Sequence, residues 1–96
     1  MIFEWDSAKN KTNLKKHGID FEEAKTVFYD EHGIIFDDPV HSIDEERFII
    51  LGMSLNSNIC IVCHCYRQNE KVIRIISARK ATKKEVNRYE KGIRHR

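Results

Sequence analysis

The chain has 96 residues, of which 41% are hydrophobic and 33% are charged. This length allows one modest core, and the apolar fraction excludes a disordered chain, because enough apolar surface is present to offset the entropy lost on folding. No apolar run approaches the roughly 20 residues of a membrane-spanning helix, and the first residues lack the apolar segment of a secretory signal. We therefore predict a single domain over residues 1–96 that resides in the cytoplasm and contacts no membrane.

Net charge divides the chain into two unlike halves. Residues 1–46 carry five lysines and twelve acidic residues, a net charge of −7, whereas residues 47–96 carry twelve lysines or arginines and three glutamates, a net charge of +9. This asymmetry predicts a polarised surface and a charged partner. The alternative is two solvated halves that neutralise each other.

Two helices are predicted at the start of the chain. Asp6 is a suitable N-cap for the first, which covers about residues 7–17, and Gly18 follows where a left-handed residue is favoured. Asp20 begins the second, with Glu23 in the position of a capping box. This second helix is predicted to end near residue 30.

Short apolar segments separated by polar turns then predict an antiparallel meander, because tight connections join antiparallel strands. A helix follows, in which Thr82 and Glu85 form a second capping box. The fold class is therefore α+β, with two N-terminal helices, a small antiparallel sheet of three to five strands and a C-terminal helix. The predicted strands and final helix cover residues 2–5 (an edge strand), 33–36, 46–53, 59–67, 71–78 and 83–91.

The cysteines and a neighbouring histidine raise the question of a metal site. Cys60, Cys63 and Cys65 are odd in number and lie with His64 in one strand-like segment, which favours reduced thiols over a disulfide framework. On a strand these side chains diverge to opposite faces, whereas structural zinc sites add a second pair of ligands elsewhere. The sequence also lacks a glycine-rich phosphate loop, and we predict no metal and no cofactor.

Four basic residues surround the start of the last helix, where the helix dipole favours negative charge. Arg79, Lys80, Lys83 and Lys84 oppose that dipole, and only Glu85 complements it. A bound phosphate would compensate the arrangement, so the segment is a candidate anion site. The alternative is a solvated basic turn.

Three further arginines, Arg47, Arg67 and Arg74, lie on neighbouring predicted strands. Guanidinium groups match a phosphodiester bidentately, so these residues could hold a nucleic-acid backbone. The alternative for each is an ion pair with the acidic half of the chain.

The histidines offer acid–base groups near neutral pH. His17 is a candidate, although a helix C-cap is the alternative role. His41 lies near Ser42 and Asp44, but a catalytic triad needs a specific geometry that proximity in sequence does not supply. His64 falls within a strand and is predicted to contact the core or a partner.

Several blocks of the sequence, in their order and spacing, resemble the BrnT family of ribonuclease toxins, whose antitoxin partners are BrnA proteins. The resemblance covers about residues 2–90, and no single block carries it. The blocks are Phe3-Glu-Trp-Asp6, Lys9 with Asn13 and Lys16-His-Gly18, Phe21-Glu-Glu-Ala24, Val27-Phe28, His41-Ser42, Glu45-Glu-Arg47, Arg74-Ile-Ile-Ser-Ala-Arg-Lys-Ala-Thr82, Glu85 and Tyr89-Glu90.

The resemblance implies a fold similar to that of RelE-type toxins and a metal-independent cleavage of RNA that halts translation. It also implies a BrnA-type antitoxin that neutralises the toxin and represses the operon, so that operator DNA is contacted only indirectly. In such cleavage the ribose 2′-oxygen attacks its own phosphate. Arg67, Arg79 and Lys80 are then expected to stabilise the phosphate charge, and His17 or Glu46 to move protons.

The remaining basic candidates, Arg47, Arg74, Lys83 and Lys84, are expected to bind RNA. Two other classes of function stay open. A module that binds nucleic acid without cutting it would show a steep loss of affinity with salt and form no product. A protein-interaction domain would neither bind nucleic acid nor arrest growth.

Overall fold

The computed structural model describes residues 1–94 and contains one five-stranded sheet with three α-helices. The strand order is β1-β5-β4-β3-β2. Single 3₁₀ turns at Val27–Tyr29 and Pro39–His41 complete the regular structure. In chain order the elements are β1 (Ile2–Glu4), α1 (Ser7–His17), α2 (Phe21–Thr26), β2 (Ile34–Asp37), β3 (Phe48–Met53), β4 (Ile59–Arg67), β5 (Val72–Lys80) and α3 (Lys83–Arg94).

The helix ends follow the predicted capping signals. The Asp6 carboxylate accepts a hydrogen bond from the backbone N–H of Lys9 at 2.9 Å, and Gly18 ends α1 with a φ of 72°. Asp20 caps α2 through the N–H of Glu23 at 2.8 Å. The α-helical part of α2 is shorter than predicted, because it tightens into a 3₁₀ turn after Thr26.

The sheet confirms the predicted α+β class, with one difference in strand direction. Strands β2 to β5 form the predicted antiparallel meander, whereas β1 pairs with β5 in parallel, so the sheet is mixed. A parallel neighbour is possible here because α1, α2 and the meander separate β1 from β5 along the chain. Between β4 and β5, Cys63 pairs with Ser77 but the next residue, His64, pairs with Ile75. Ile76 of β5 is therefore the extra residue of a β-bulge.

Helices cover the two faces of the sheet unequally. The helices α1 and α2 bury one face, where fully buried Ile19, Phe21 and Val27 pack with Val62 and other strand residues. On the second face, α3 packs toward β2, β3 and β4, through a small cluster of Tyr89, Leu51 and Ile61 and through Arg88, which lies over the Phe36 ring. The rest of this second face, which we call the open face, remains accessible around β4 and β5.

None of the helices described for residues 1–94 has the length and apolar character that crossing a bilayer requires.

Candidate active site

A cavity of about 190 Å³ lies on the open face, between the 3₁₀ turn that precedes β3 and the central strands. Its floor is apolar and its rim carries two arginines, a histidine and an aspartate. Segments far apart in sequence supply these groups, because the antiparallel meander brings β3, β4 and β5 side by side. The lining residues are Asp38, His41, Arg47, Ile49, Ile61, Cys63, Ile76, Ser77 and Arg79.

Arg79 reaches the cavity from the end of β5, and Glu85 of α3 fixes its orientation. The two side chains form a bidentate pair, with Nη1 at 2.8 Å and Nη2 at 3.0 Å from the carboxylate oxygens. Glu85 also accepts a hydrogen bond from the N–H of Thr82 at 2.8 Å, as the predicted capping box requires. The hydrogen bonds from Arg79 are the main cause that lowers the pKa of Glu85 to about 2.

This pair corrects one inference from the sequence. The start of α3 already has a negative charge, because Glu85 caps the helix and neutralises part of the charge of Arg79. The helix start therefore does not need a bound phosphate to compensate it. What remains is a guanidinium group held rigidly at the cavity edge, with its side chain 41% exposed.

Arg47 enters the cavity from the residue before β3. Its Nη2 lies 3.7 Å from the Glu45 carboxylate, and its buried Nε has no hydrogen-bond partner among residues 1–94. Arg47 is thus less completely paired than Arg79, and the cavity combines two guanidinium groups. Of the predicted site residues, these two are the arginines that line it.

A carboxylate–imidazole pair forms the opposite rim. The Nδ1 atom of His41 lies 2.9 Å and 3.1 Å from the two oxygens of Asp38, which is only 8% exposed. Ser42 fixes this turn, because its hydroxyl donates to the Asp38 carbonyl at 2.7 Å and accepts from the Arg47 N–H at 2.9 Å. The Cys63 thiol donates to Asp38 at 3.6 Å, and burial and the Asp38 charge raise its pKa to about 11.

The partner of His41 is therefore Asp38, three residues earlier, and not Ser42 or Asp44, its other polar neighbours in the sequence. Ser42 uses its hydroxyl to bind backbone groups, so the arrangement is no catalytic triad. The sequence carried a signal for this pair, because Asp38 and His41 are three residues apart and Pro39 favours a helical turn between them.

Arg67 and Arg74 lie outside the cavity, at the end of the β4–β5 pair that is far from Arg79. Arg67 pairs with Val72 in the sheet register, whereas Arg79 pairs with Ile61 at the other end. The guanidinium of Arg74 contacts Glu4 at 2.8 Å.

Arg67 contacts both Glu45 at 3.2 Å and Glu4 at 4.0 Å. These two arginines thus follow the ion-pair alternative, and they form a chain of alternating charge across the open face.

Neither Lys80 nor Glu46 lines the cavity. Lys80 follows Arg79 on β5, and successive residues of a strand face opposite sides of the sheet, whereas Glu46 lies before β3. The charge of Lys80 acts on Glu23 and on buried Cys60, both on the side of the sheet that α2 covers. Glu46 is exposed and borders a separate hollow with Phe48. The exposed Lys83 and Lys84 stand in the first turn of α3.

His17 lines a second groove, of about 350 Å³, between α1 and β5. This groove and the cavity share Ile76 and Ser77, the residues at the β-bulge, so the two depressions adjoin. Lys9 and Lys16 also line the groove and give it a basic character. His17 has no carboxylate within hydrogen-bond distance among residues 1–94.

His64 and the cysteines have structural positions. His64 is fully buried against Phe28, at 4.8 Å between ring centroids, and desolvation lowers its pKa, so it remains neutral in the core. Cys60 belongs to the core under the helices, whereas Cys63 lines the cavity on the open face. Throughout residues 1–94, no three cysteine, histidine or acidic side chains converge as metal ligands would.

A family model described as "Ribonuclease toxin, BrnT, of type II toxin-antitoxin system" matches residues 5–85. This chain belongs to the BrnT family. The match includes the whole cavity and both residues of the Arg79–Glu85 pair. Membership makes the chain a ribonuclease toxin of a type II system, which implies RNA as its target and an antitoxin as its partner.

A solved structure supports the same fold. The chain resembles the Brucella abortus ribonuclease toxin BrnT, known from a crystal structure at 1.1 Å resolution, with a TM-score of 0.66 and 23% sequence identity. The alignment covers 86% of this chain and 100% of the Brucella chain. Among curated proteins, none matches the chain. The resemblance to BrnT toxins that the sequence blocks indicate is thus confirmed.

Proposed function

We propose that the chain is a metal-independent endoribonuclease that cleaves RNA in the RelE-like manner and inhibits translation. The observation that carries this proposal is the meeting of Arg47 and Arg79 in one cavity on the open face. Two guanidinium groups offer planar donors that match a phosphodiester and carry a charge at every physiological pH. The single sheet supports a further proposal, that residues 1–96 form one toxin domain.

For this reaction the protein mainly has to position the RNA and to stabilise the negative charge on the phosphate. The 2′-oxygen of the substrate attacks the adjacent phosphorus, and the bond to the 5′-oxygen breaks, which yields a cyclic phosphate and a 5′-hydroxyl. Negative charge accumulates on the phosphate oxygens in the transition state, where preorganised donors contribute most. Arg79 is preorganised by Glu85, and Arg47 by the turn that Ser42 ties together.

The neighbouring basic groups suggest a path for the RNA strand. The groove that Lys9, Lys16 and His17 line adjoins the cavity at the β-bulge, and a strand could continue along it. Lys83 and Lys84 extend the basic surface on the α3 side. We assign Arg67 and Arg74 a secondary role in RNA binding, because Glu4 and Glu45 neutralise part of their charge. Lys80 and Glu46 leave the proposed catalytic set, because they lie outside the cavity.

The antitoxin that the family implies is, in this proposal, a BrnA-type protein, and the toxin acts in the cytoplasm. Acidic side chains of such a partner would find complementary charge at Arg47 and Arg79. Operator DNA would then be contacted through the antitoxin alone. Growth arrest by the toxin, relieved when the antitoxin is co-expressed, is the outcome expected in cells.

Replacing Arg79 by alanine is the sharpest test of the cavity. We expect Arg79→Ala to lower RNA cleavage by at least a hundredfold, since loss of one transition-state donor typically costs that much. The measurement is cleavage of end-labelled RNA, free and on translating ribosomes, in excess EDTA. Arg88→Ala is the matched control, because Arg88 packs over the Phe36 ring at 4.7 Å, away from the cavity.

Each result has a distinct meaning. Cleavage by the parent and by Arg88→Ala, but not by a folded Arg79→Ala variant, supports the proposal. Cleavage that EDTA abolishes contradicts metal independence. Salt-sensitive RNA binding without any product would instead indicate a binding module, and neither binding nor growth arrest would indicate a protein-interaction domain.

A further inference from the structure

We propose that His41 is the general base of RNA cleavage and that Asp38 is its positioning residue. This inference rests on the proposed ribonuclease function and names the group that accepts the proton from the 2′-hydroxyl. The sequence alone favours His17 or Glu46 for that role. The geometry of the cavity favours a different side chain.

The pair has the arrangement that an imidazole base requires. Both Asp38 oxygens lie within 3.1 Å of His41 Nδ1, so the carboxylate accepts a hydrogen bond from Nδ1–H and favours the tautomer with its proton on Nδ1. The lone pair then resides on Nε2, which has no hydrogen-bond partner among residues 1–94. The imidazole is 63% exposed although Asp38 is almost buried, so the catalytic atom remains accessible while its support is rigid.

Other histidines of residues 1–94 lack this combination. His64 is fully buried on the opposite side of the sheet and remains neutral there. His32 contacts Glu31 at 3.5 Å, but that carboxylate is 87% exposed and cannot hold the ring firmly. His17 adjoins the cavity without a carboxylate partner.

The charges that surround His41 come from three parts of the chain. Asp38 supplies negative charge from the same 3₁₀ turn as His41, and Asp44 and Glu45 supply it from the following loop, where they line a hollow together with His41. Arg47, immediately before β3, and Arg79, near the end of β5, supply positive charge, and the Cys63 thiol contacts Asp38. A phosphate held by the two arginines would therefore lie in the same cavity as Nε2.

The proton balance of the step is complete. His41 Nε2 accepts the proton of the 2′-hydroxyl as the 2′-oxygen bonds to phosphorus and the bond from phosphorus to the 5′-oxygen breaks. Water protonates the departing 5′-oxygen, and the hydroxide formed removes the proton from the His41 imidazolium. The products are a 2′,3′-cyclic phosphate and a 5′-hydroxyl, and the imidazole returns to its neutral form.

The test compares His41→Ala with Asp38→Asn by single-turnover cleavage of an end-labelled RNA in EDTA. We expect His41→Ala to slow cleavage by about a hundredfold to ten-thousandfold and to abolish the fall of the rate at acidic pH. Added imidazole should restore part of this activity. In steady-state measurements beside the single-turnover assay, Asp38→Asn should lower kcat at nearly unchanged KM, because it affects the tautomer and not RNA binding. His32→Ala, a histidine outside the cavity, is the matched control.

The outcomes separate this inference from the proposed function. If the parent cleaves, Arg79→Ala does not, and His41→Ala keeps both the parental rate and the parental pH profile, then only the assignment of His41 is wrong. If the folded parent does not cleave RNA either free or on ribosomes, both proposals fall. A loss of rate in His41→Ala that imidazole does not restore, with a pH profile unchanged in shape, also overturns the assignment.

Discussion

Asn13 shows how a single buried residue ties α1 to the sheet. Its side-chain nitrogen donates to the carbonyls of Ile19 and Ala78, each at 2.8 Å, and its oxygen accepts from the N–H of Ala78 at 3.1 Å. Asn13 is 7% exposed. It satisfies the backbone groups of Ala78 on β5, at a point that the pairing between β1 and β5 does not reach.

Asn13→Ala should be strongly destabilising. The change leaves buried backbone groups without partners, and each unsatisfied group costs about 1–3 kcal/mol, so we expect a loss of about 2–4 kcal/mol in the free energy of unfolding. Urea denaturation measures this loss. Thr12→Ala, on the exposed side of the same helix, should change stability by less than about 0.5 kcal/mol. A similar effect of both variants would contradict the assigned role of Asn13.

At the scale of elements, one carboxylate connects α3 to the rest of the fold. Asp30, in the segment before β2, accepts hydrogen bonds from the Tyr89 hydroxyl at 2.5 Å and from the Met53 N–H at 2.8 Å. Burial raises its pKa, but the hydrogen bonds from Tyr89, Met53 and His32 outweigh that effect and lower it. Because α3 also carries Glu85, its docking holds Arg79 at the cavity.

Tyr89→Phe tests this docking. The variant removes a hydrogen bond to a charged group, so we expect a loss of about 1.5–3 kcal/mol in the free energy of unfolding. Thermal and urea unfolding measure it. Tyr29→Phe removes the same hydroxyl group from a residue that is 63% exposed, and should have little effect on stability. Equal stability of Tyr89→Phe and the parent would show that the apolar cluster alone holds α3.

At the scale of the whole molecule, the two charged halves of the chain do not form two separate surfaces. From the acidic half, Glu4 lies between Arg67 and Arg74 on the open face, and Glu45 lies between Arg67 and Arg47. The excess of positive charge is thereby directed to the cavity, the α1 groove and the start of α3. We expect RNA binding to depend on this distribution and not on net charge.

Salt dependence distinguishes the two possibilities. The measurement is the affinity for a 2′-O-methylated RNA, which lacks the nucleophile, at several salt concentrations. The double variant Lys83→Ala and Lys84→Ala should reduce the slope of log affinity against log salt concentration by about 1.4, if each lysine contacts one phosphate. Lys11→Ala combined with Lys15→Ala removes the same charge from the outer side of α1, and should leave the slope near the parental value. Equal slopes for both double variants would refute a localised path for the RNA.

The sequence by itself determined the elements, the fold class and the family. Caps such as Asp6 and Asp20 act within three residues, and apolar periodicity reports which segments are buried, so both signals are readable along the chain. The parallel pairing of β1 was not readable, because no short turn connects β1 to β5 and fixes its direction.

The tertiary structure alone decided which charged residues meet. Arg79 comes from β5 and Arg47 from the start of β3, and only the register of three strands brings both to one cavity with Asp38 and His41. The same register gives Arg67 its carboxylate partners. Local sequence cannot report such pairings, because a charged side chain has the same local preferences whether a carboxylate or a phosphate faces it across the sheet.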